Sequence, residues 1–123
     1  MLDSIHFFYE RFENQSKLLV LGCMNELGEK ADQLHYDTGK LIPVSSDDRI
    51  IIIGENSLQF ANGLLQNGAS EEKITILRDT ESARSIIEDF RGVVLLKGSR
   101  SYQLESLIPS WAVPEFEPLK IAC

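Results

Sequence analysis

The chain opens with Ile5, Phe8, Tyr9 and Phe12 at helical spacing, which predicts an amphipathic helix over Leu2 to Phe12 with an aromatic core face. Lys17 to Leu21 (KLLVL) is then apolar without alternation and stops at Gly22, the pattern of a strand covered on both faces. A second helix is predicted from Glu29 to about Lys40, with Ala31, Leu34, His35 and Thr38 on one side and Pro43 barring continuation. Arg49 to Ile53 (RIIII) is β-branched and ends at Gly54, so it reads as a second strand. The helix that follows, Ser57 to Gln66, is terminated by Asn67-Gly68 and slightly weakened by Gly63.

Lys73 to Leu77 (KITIL) is a third strand, after which Asp79 or Thr80 can cap a helix whose Ala83, Ile86, Ile87 and Phe90 form an apolar stripe. Val93 to Leu96 is a fourth strand. It runs into Lys97-Gly98-Ser99-Arg100-Ser101, and Leu104, Leu107 and Ile108 continue at helical spacing until Pro109. The tail from Trp111 to Cys123, with Pro114 and Pro118, reads as extended or irregular. Strands and helices alternating in this order predict an α/β domain: a three-layer, Rossmann-like arrangement with a mostly parallel sheet and helices on both faces. At 123 residues the chain fits one domain.

Composition narrows the partners. A formal net charge of -7, with the twelve basic residues scattered, argues against nucleic acid and anionic lipid. The longest apolar stretch, Ile50 to Ile53, is far below the run of about 20 that crosses a bilayer, and no basic-then-apolar leader opens the chain, so membrane insertion is not expected and the location read from the sequence is cytoplasmic. Cys23 and Cys123 form neither a disulfide framework nor a metal-ligand spacing, and no metal is expected.

In an open parallel sheet, ligands collect beyond the carboxyl ends of the strands, where loops converge. Four segments answer that description: Gly22 to Gly28, Gly54 to Ser57, Arg78 to Thr80, and Lys97 to Ser101. The last is the most informative. A strand ends in a lysine, a glycine turns the backbone closely, and two serines and an arginine open a predicted helix whose N–H groups and dipole would join Lys97 and Arg100 in seating a carboxylate or phosphate. Its bland reading is a capped helix with solvated cations. The glycine-bracketed Gly22-Cys23-Met24-Asn25-Glu26-Leu27-Gly28 can likewise be a site or a mere connection. His35 sits on an inward helix face and reads as structural. Asp47-Asp48 and Glu71-Glu72 point apart as loop neighbours and read as turn or cap residues, not as paired catalytic acids. A GxxxxGK[ST] phosphate loop and a GxGxxG fingerprint after the first strand are both missing, so nucleotide binding is not self-contained, and no nucleophilic triad signature occurs.

Leu21-Gly22-Cys23-Met24-Asn25-Glu26-Leu27-Gly28, then His35 and Gly39, then Lys97-Gly98-Ser99-Arg100-Ser101 and Glu105 together resemble the carboxy-terminal domain of the MurF-type peptidoglycan ligases of the Mur ligase family. That family shows LGxMxELG, a histidine seven residues on, a glycine four beyond it, and KGSR after a later strand. The likeness covers roughly Met1 to Ile108 and leaves a tail from Pro109. Cys23 stands where the family commonly has aspartate. The resemblance implies a three-domain ATP-dependent amide ligase that joins D-alanyl-D-alanine to UDP-N-acetylmuramoyl-tripeptide, of which this chain would be only the closing domain. ATP and Mg2+ would be held mainly by a central domain, and this chain, a monomer cut near a domain boundary, would have no catalytic residue of its own. Lys97, Ser99, Arg100, Asn25 and Glu26 are the implied substrate-positioning residues. The alternative is a stand-alone, non-catalytic binding or regulatory module of the same fold.

Overall fold

The computed structural model describes residues 2–24 and 27–112, apart from the side chain of Arg100. Helix α1 (Leu2–Arg11) leads into strand β1 (Lys17–Gly22). A 3-10 turn, Gly28–Lys30, then precedes α2 (Ala31–Leu41), and β2 (Arg49–Ile53) and α3 (Ser57–Gln66) follow. Strand β3 (Ile74–Leu77), a 3-10 turn at Glu81–Ala83, α4 (Arg84–Asp89) and β4 (Val93–Lys97) complete the alternation.

The four strands form one parallel sheet in the order β3-β2-β1-β4. Period-two alternation splits the apolar residues cleanly between its faces. On one face Leu19, Leu21, Ile50 and Ile52 pack with Ile5 and Phe8 of α1, with Phe12 just past its end, and with Phe60 and Leu64 of α3. On the other, Leu18, Val20, Ile51 and Ile53 meet Ala83, Ile87, Leu104 and Leu107. All six residues of β1 are buried, as befits a strand with a neighbour on each side and cover on both faces. The three-layer α/β arrangement read from the sequence is the one observed.

Several local readings need correction. The predicted last helix is not an α-helix: Arg100–Tyr102 and Leu104–Leu107 are two 3-10 turns, separated by Gln103 at φ 49 in the left-handed region. A single short turn drops Leu104 and Leu107 into the core and leaves Ile108 exposed, so no longer helix is needed. The segment before β4 is likewise part 3-10 turn and only six residues of α-helix, and Phe90 lies just past its end. Asp79, not Thr80, caps it, since the Asp79 carboxylate accepts the Ser82 N–H at 2.8 Å. Of the stripe assigned to α2, Leu34 is exposed, and the buried positions are His35 and Gly39. Residues 113–123 of the tail lie outside the described residues.

The reason for that narrow stripe is the crossing of α2 and α3. A Cβ built on Gly39 would lie 2.6 Å from the Phe60 carbonyl oxygen, and one on Gly63 would lie 2.2 Å from the Tyr36 carbonyl oxygen. The two helices therefore touch backbone to backbone, and Gly63, unfavourable for the helix taken alone, is what lets them. Gly63→Ala should thus lower stability by about 2–3 kcal/mol despite the better helix propensity of alanine. Urea unfolding of the two chains checks this, and a stabilised variant would refute the close crossing.

Candidate functional site

The strand order sets the site. From β1 the chain steps to β2 and then β3 in one direction, with α2 and α3 on one face, before crossing back over the other face to β4 beside β1. The order reverses between β1 and β4, and such a reversal opens a crevice at the carboxyl ends because the flanking connections leave in opposite directions. The two turns that emerge there are Gly22–Gly28 and Lys97–Ser101.

These turns meet at their glycines. A Cβ on Gly98 would sit 2.9 Å from the Gly22 Cα, and one on Gly22 would sit 3.3 Å from the Gly98 Cα. No side chain fits between the backbones, which brings the two turns to one spot on the sheet edge. Leu21 pairs with Lys97 in register. Alternation puts Lys97 on the same sheet face as Leu95, Leu21 and Cys23, the face covered by α1 to α3.

Lys97 is only 4% exposed and is not free of partners, so the solvated-cation reading does not describe it. Ser99 organises the turn: its hydroxyl accepts the Ser101 N–H at 3.3 Å and the Ser101 hydroxyl at 3.2 Å, and its carbonyl accepts the Tyr102 N–H at 3.1 Å. With no α-helix beginning here, the helix-dipole contribution expected from the sequence falls away. What the turn can offer an anion is the lysine, the serine hydroxyls and local N–H groups. Asn25, Glu26 and the Arg100 side chain lie outside the described residues, so the structure gives no geometry for them. Among the described residues, no group of three or more His, Cys, Asp or Glu side chains could hold a metal ion.

His35 explains how the post-β1 turn is held. Its Nε2 accepts the Met24 N–H at 2.8 Å, which fixes the proton on Nδ1, and Nδ1 donates to the Ala31 carbonyl at 2.6 Å. The ring is fully buried and stands edge-on to Phe60 at 5.7 Å. Its structural role, read from its helix face, is therefore also a positioning role one residue away from Asn25. Cys23 begins the same turn, 1% exposed, with its N–H donating to the Ile53 carbonyl at 2.8 Å. Ser57 donates its hydroxyl to the Gly54 carbonyl at 2.6 Å, and the Cys23 Sγ lies 3.7 Å from the Ser57 Oγ. Burial pushes the thiol above the ordinary cysteine range, more than the Ser57 and Asn56 contacts pull it down, so it stays protonated at neutral pH.

The acidic pairs play the local parts read for them. Asp48 accepts the Tyr9 hydroxyl at 2.5 Å and the Ser45 N–H at 3.0 Å, bracing the turn into β2 at the opposite edge of the sheet. Burial first, then the Asp48 hydrogen bond, raises the Tyr9 pKa. Glu72 accepts the Ser70 hydroxyl at 3.5 Å. A shallow cleft of about 310 Å³ lies beside Arg49, Ser85, Asp89 and Arg91, at the amino edge and away from both motif turns.

Replacing His35 by Phe keeps the bulk but removes the acceptor for Met24. The Met24 amide should then exchange with solvent at least about tenfold faster than in the parent chain, while amides of β1 keep their protection. Unchanged exchange at Met24 would remove His35 from control of the turn.

No family model matches the chain. Over 95 residues, 75% of this chain, it is 28% identical to UDP-N-acetylmuramoyl-tripeptide--D-alanyl-D-alanine ligase of Escherichia coli (strain K12), and over 94 residues it is 27% identical to the enzyme of that name from Bacillus subtilis (strain 168). The chain spans about a fifth of either relative, 20% and 21% of their lengths. In fold it is similar to two crystal structures of MurF from Acinetobacter baumannii, with TM-scores of 0.63 and 0.59 at 22% and 23% identity, covering 87% of this chain and about a quarter of each of those. In sequence and in fold together, the chain is similar to about a fifth to a quarter of the MurF ligases and has the fold of that part of them.

Proposed function

We propose that this chain acts as the closing, carboxy-terminal domain of an ATP-dependent amide ligase that adds D-alanyl-D-alanine to UDP-N-acetylmuramoyl-tripeptide in peptidoglycan synthesis. The observation that carries this reading is the meeting of the two resembling motifs, through Gly22 and Gly98, at the reversal point of the sheet. The likeness to UDP-N-acetylmuramoyl-tripeptide--D-alanyl-D-alanine ligases over three quarters of the chain supports the substrate class.

In such a reaction ATP phosphorylates the tripeptide carboxylate and the dipeptide amine attacks the acyl phosphate. ATP and Mg2+ belong to an upstream central domain in this reading, in keeping with the missing phosphate loop. This chain supplies orientation. Lys97, Ser99 and Arg100, together with Asn25 and Glu26, seat the dipeptide or close on the phosphates, and the gain comes from holding the reactants in line. A buried lysine and a hydroxyl-rich turn suit a carboxylate or phosphate. The chain alone would not ligate. Its setting would be the cytoplasm, as a monomer working with its own upstream domains in cell-wall growth and division.

A chimaera tests this directly. With this chain in place of the matching fifth of the Escherichia coli relative, ligation should be retained, and Lys97→Ala or Arg100→Ala should lower kcat/KM for D-alanyl-D-alanine by about 10–100-fold. Active chimaeras indifferent to both substitutions would take the Lys97–Ser101 turn out of the mechanism.

A further inference from the structure

Tyr102 carries no role in the site as described, yet it touches every turn on the carboxyl edge. A Cβ on Gly22, at the end of β1, would lie 2.6 Å from the Tyr102 Cδ2, and a Cβ on Gly54, just after β2, would lie 2.6 Å from its hydroxyl. The ring therefore spans the tips of the two central strands. Its carbonyl accepts the Thr80 hydroxyl at 2.6 Å, from the turn after β3, and its N–H donates to the Ser99 carbonyl at 3.1 Å, in the turn after β4. Gly54, at φ 130, keeps a conformation that a side chain would strain, and the space a Cβ would need is already taken by this hydroxyl and by Cys23.

We propose that Tyr102 is the positioning residue of the crevice, a planar wedge that fixes the turns after β1 and β2 against the Lys97–Ser101 turn. The proposal deepens the ligase reading by naming what keeps the two motif turns in register with each other. A wedge of this kind has to be flat and long. The side chain must be thin enough to lie on Gly22 and must reach as far as Gly54, and both glycines are spaced for it. Burial first, with Cys23 once its thiol ionises and the Glu55 carboxylate adding to it, raises its pKa, so the wedge remains neutral across the ordinary range.

Cys23 provides the readout, because its Sγ would lie 3.1 Å from the same Gly54 Cβ position that Tyr102 approaches, and it is buried in the parent chain. In a Cys123→Ser background, the thiol-exchange reagent 5,5'-dithiobis(2-nitrobenzoate) reports Cys23 alone. Tyr102→Ala should label about tenfold faster than the parent under native conditions, because local opening of the turns no longer needs global unfolding. Tyr102→Phe, which keeps the ring on Gly22 but loses the hydroxyl that reaches Gly54, should label at a rate between the two. Tyr9→Phe, which loosens the opposite edge of the sheet, should leave Cys23 protected although it lowers overall stability. Parental labelling of Tyr102→Ala would overturn the proposal, and so would equal acceleration by Tyr9→Phe, which would mark mere global destabilisation. Should Tyr102→Ala not fold, Tyr102→Leu keeps apolar bulk without the reach to Gly54 and is read against the same controls. The labelling uses no ligand, so the wedge can fail while the ligase reading stands, and the reverse.

Discussion

The carboxyl edge of this domain depends on one close approach, the backbone contact of Gly22 with Gly98 where β1 and β4 end side by side. A parallel sheet that reverses its strand order parts the connections above that point, and what fills the opening decides whether it can receive a ligand. Here two glycines keep the floor low. The turns that follow them are consequently near neighbours, though 75 or so positions separate them along the chain.

Around that contact the supports are of different physical kinds. His35 holds the post-β1 turn by a directional hydrogen bond to Met24, anchored in turn on Ala31. The helix that carries His35 is itself set by the glycine crossing with α3, so packing on one sheet face reaches the site through a single buried ring. On the other face, Leu104 and Leu107 pin the chain just beyond the Lys97–Ser101 turn into the core with Ala83 and Ile87. Between the two lies Tyr102, half-buried and bonded on both sides. Apolar burial thus sets where the turns are, and a few polar contacts set how they face.

Much of this was legible in the sequence. RIIII and KLLVL admit few alternatives to buried parallel strands, and their ends marked the crevice loops correctly. The inward face of His35 followed from its spacing. What periodicity could not supply were features that belong to neighbours in space. Leu34 fits a helical stripe, but α3 approaches at glycine distance and leaves room only for the His35–Gly39 row. Leu104, Leu107 and Ile108 are spaced as in a helix, yet one 3-10 turn buries Leu104 and Leu107 and leaves Ile108 exposed once Gln103 turns left-handed. Tyr102 gave no signal at all, since a partly buried loop tyrosine is marked by nothing except the two glycines it lies upon, and those are distant in sequence.

The central claim is that the turn after β1 and the turn after β4 act on one ligand in one crevice. A double-mutant cycle on Asn25→Ala and Ser99→Ala, read as kcat/KM for the dipeptide in a ligase carrying this domain, measures that most directly. Shared action predicts a coupling of about 1 kcal/mol or more between the two substitutions. Strict additivity, with each substitution indifferent to the other, would contradict it.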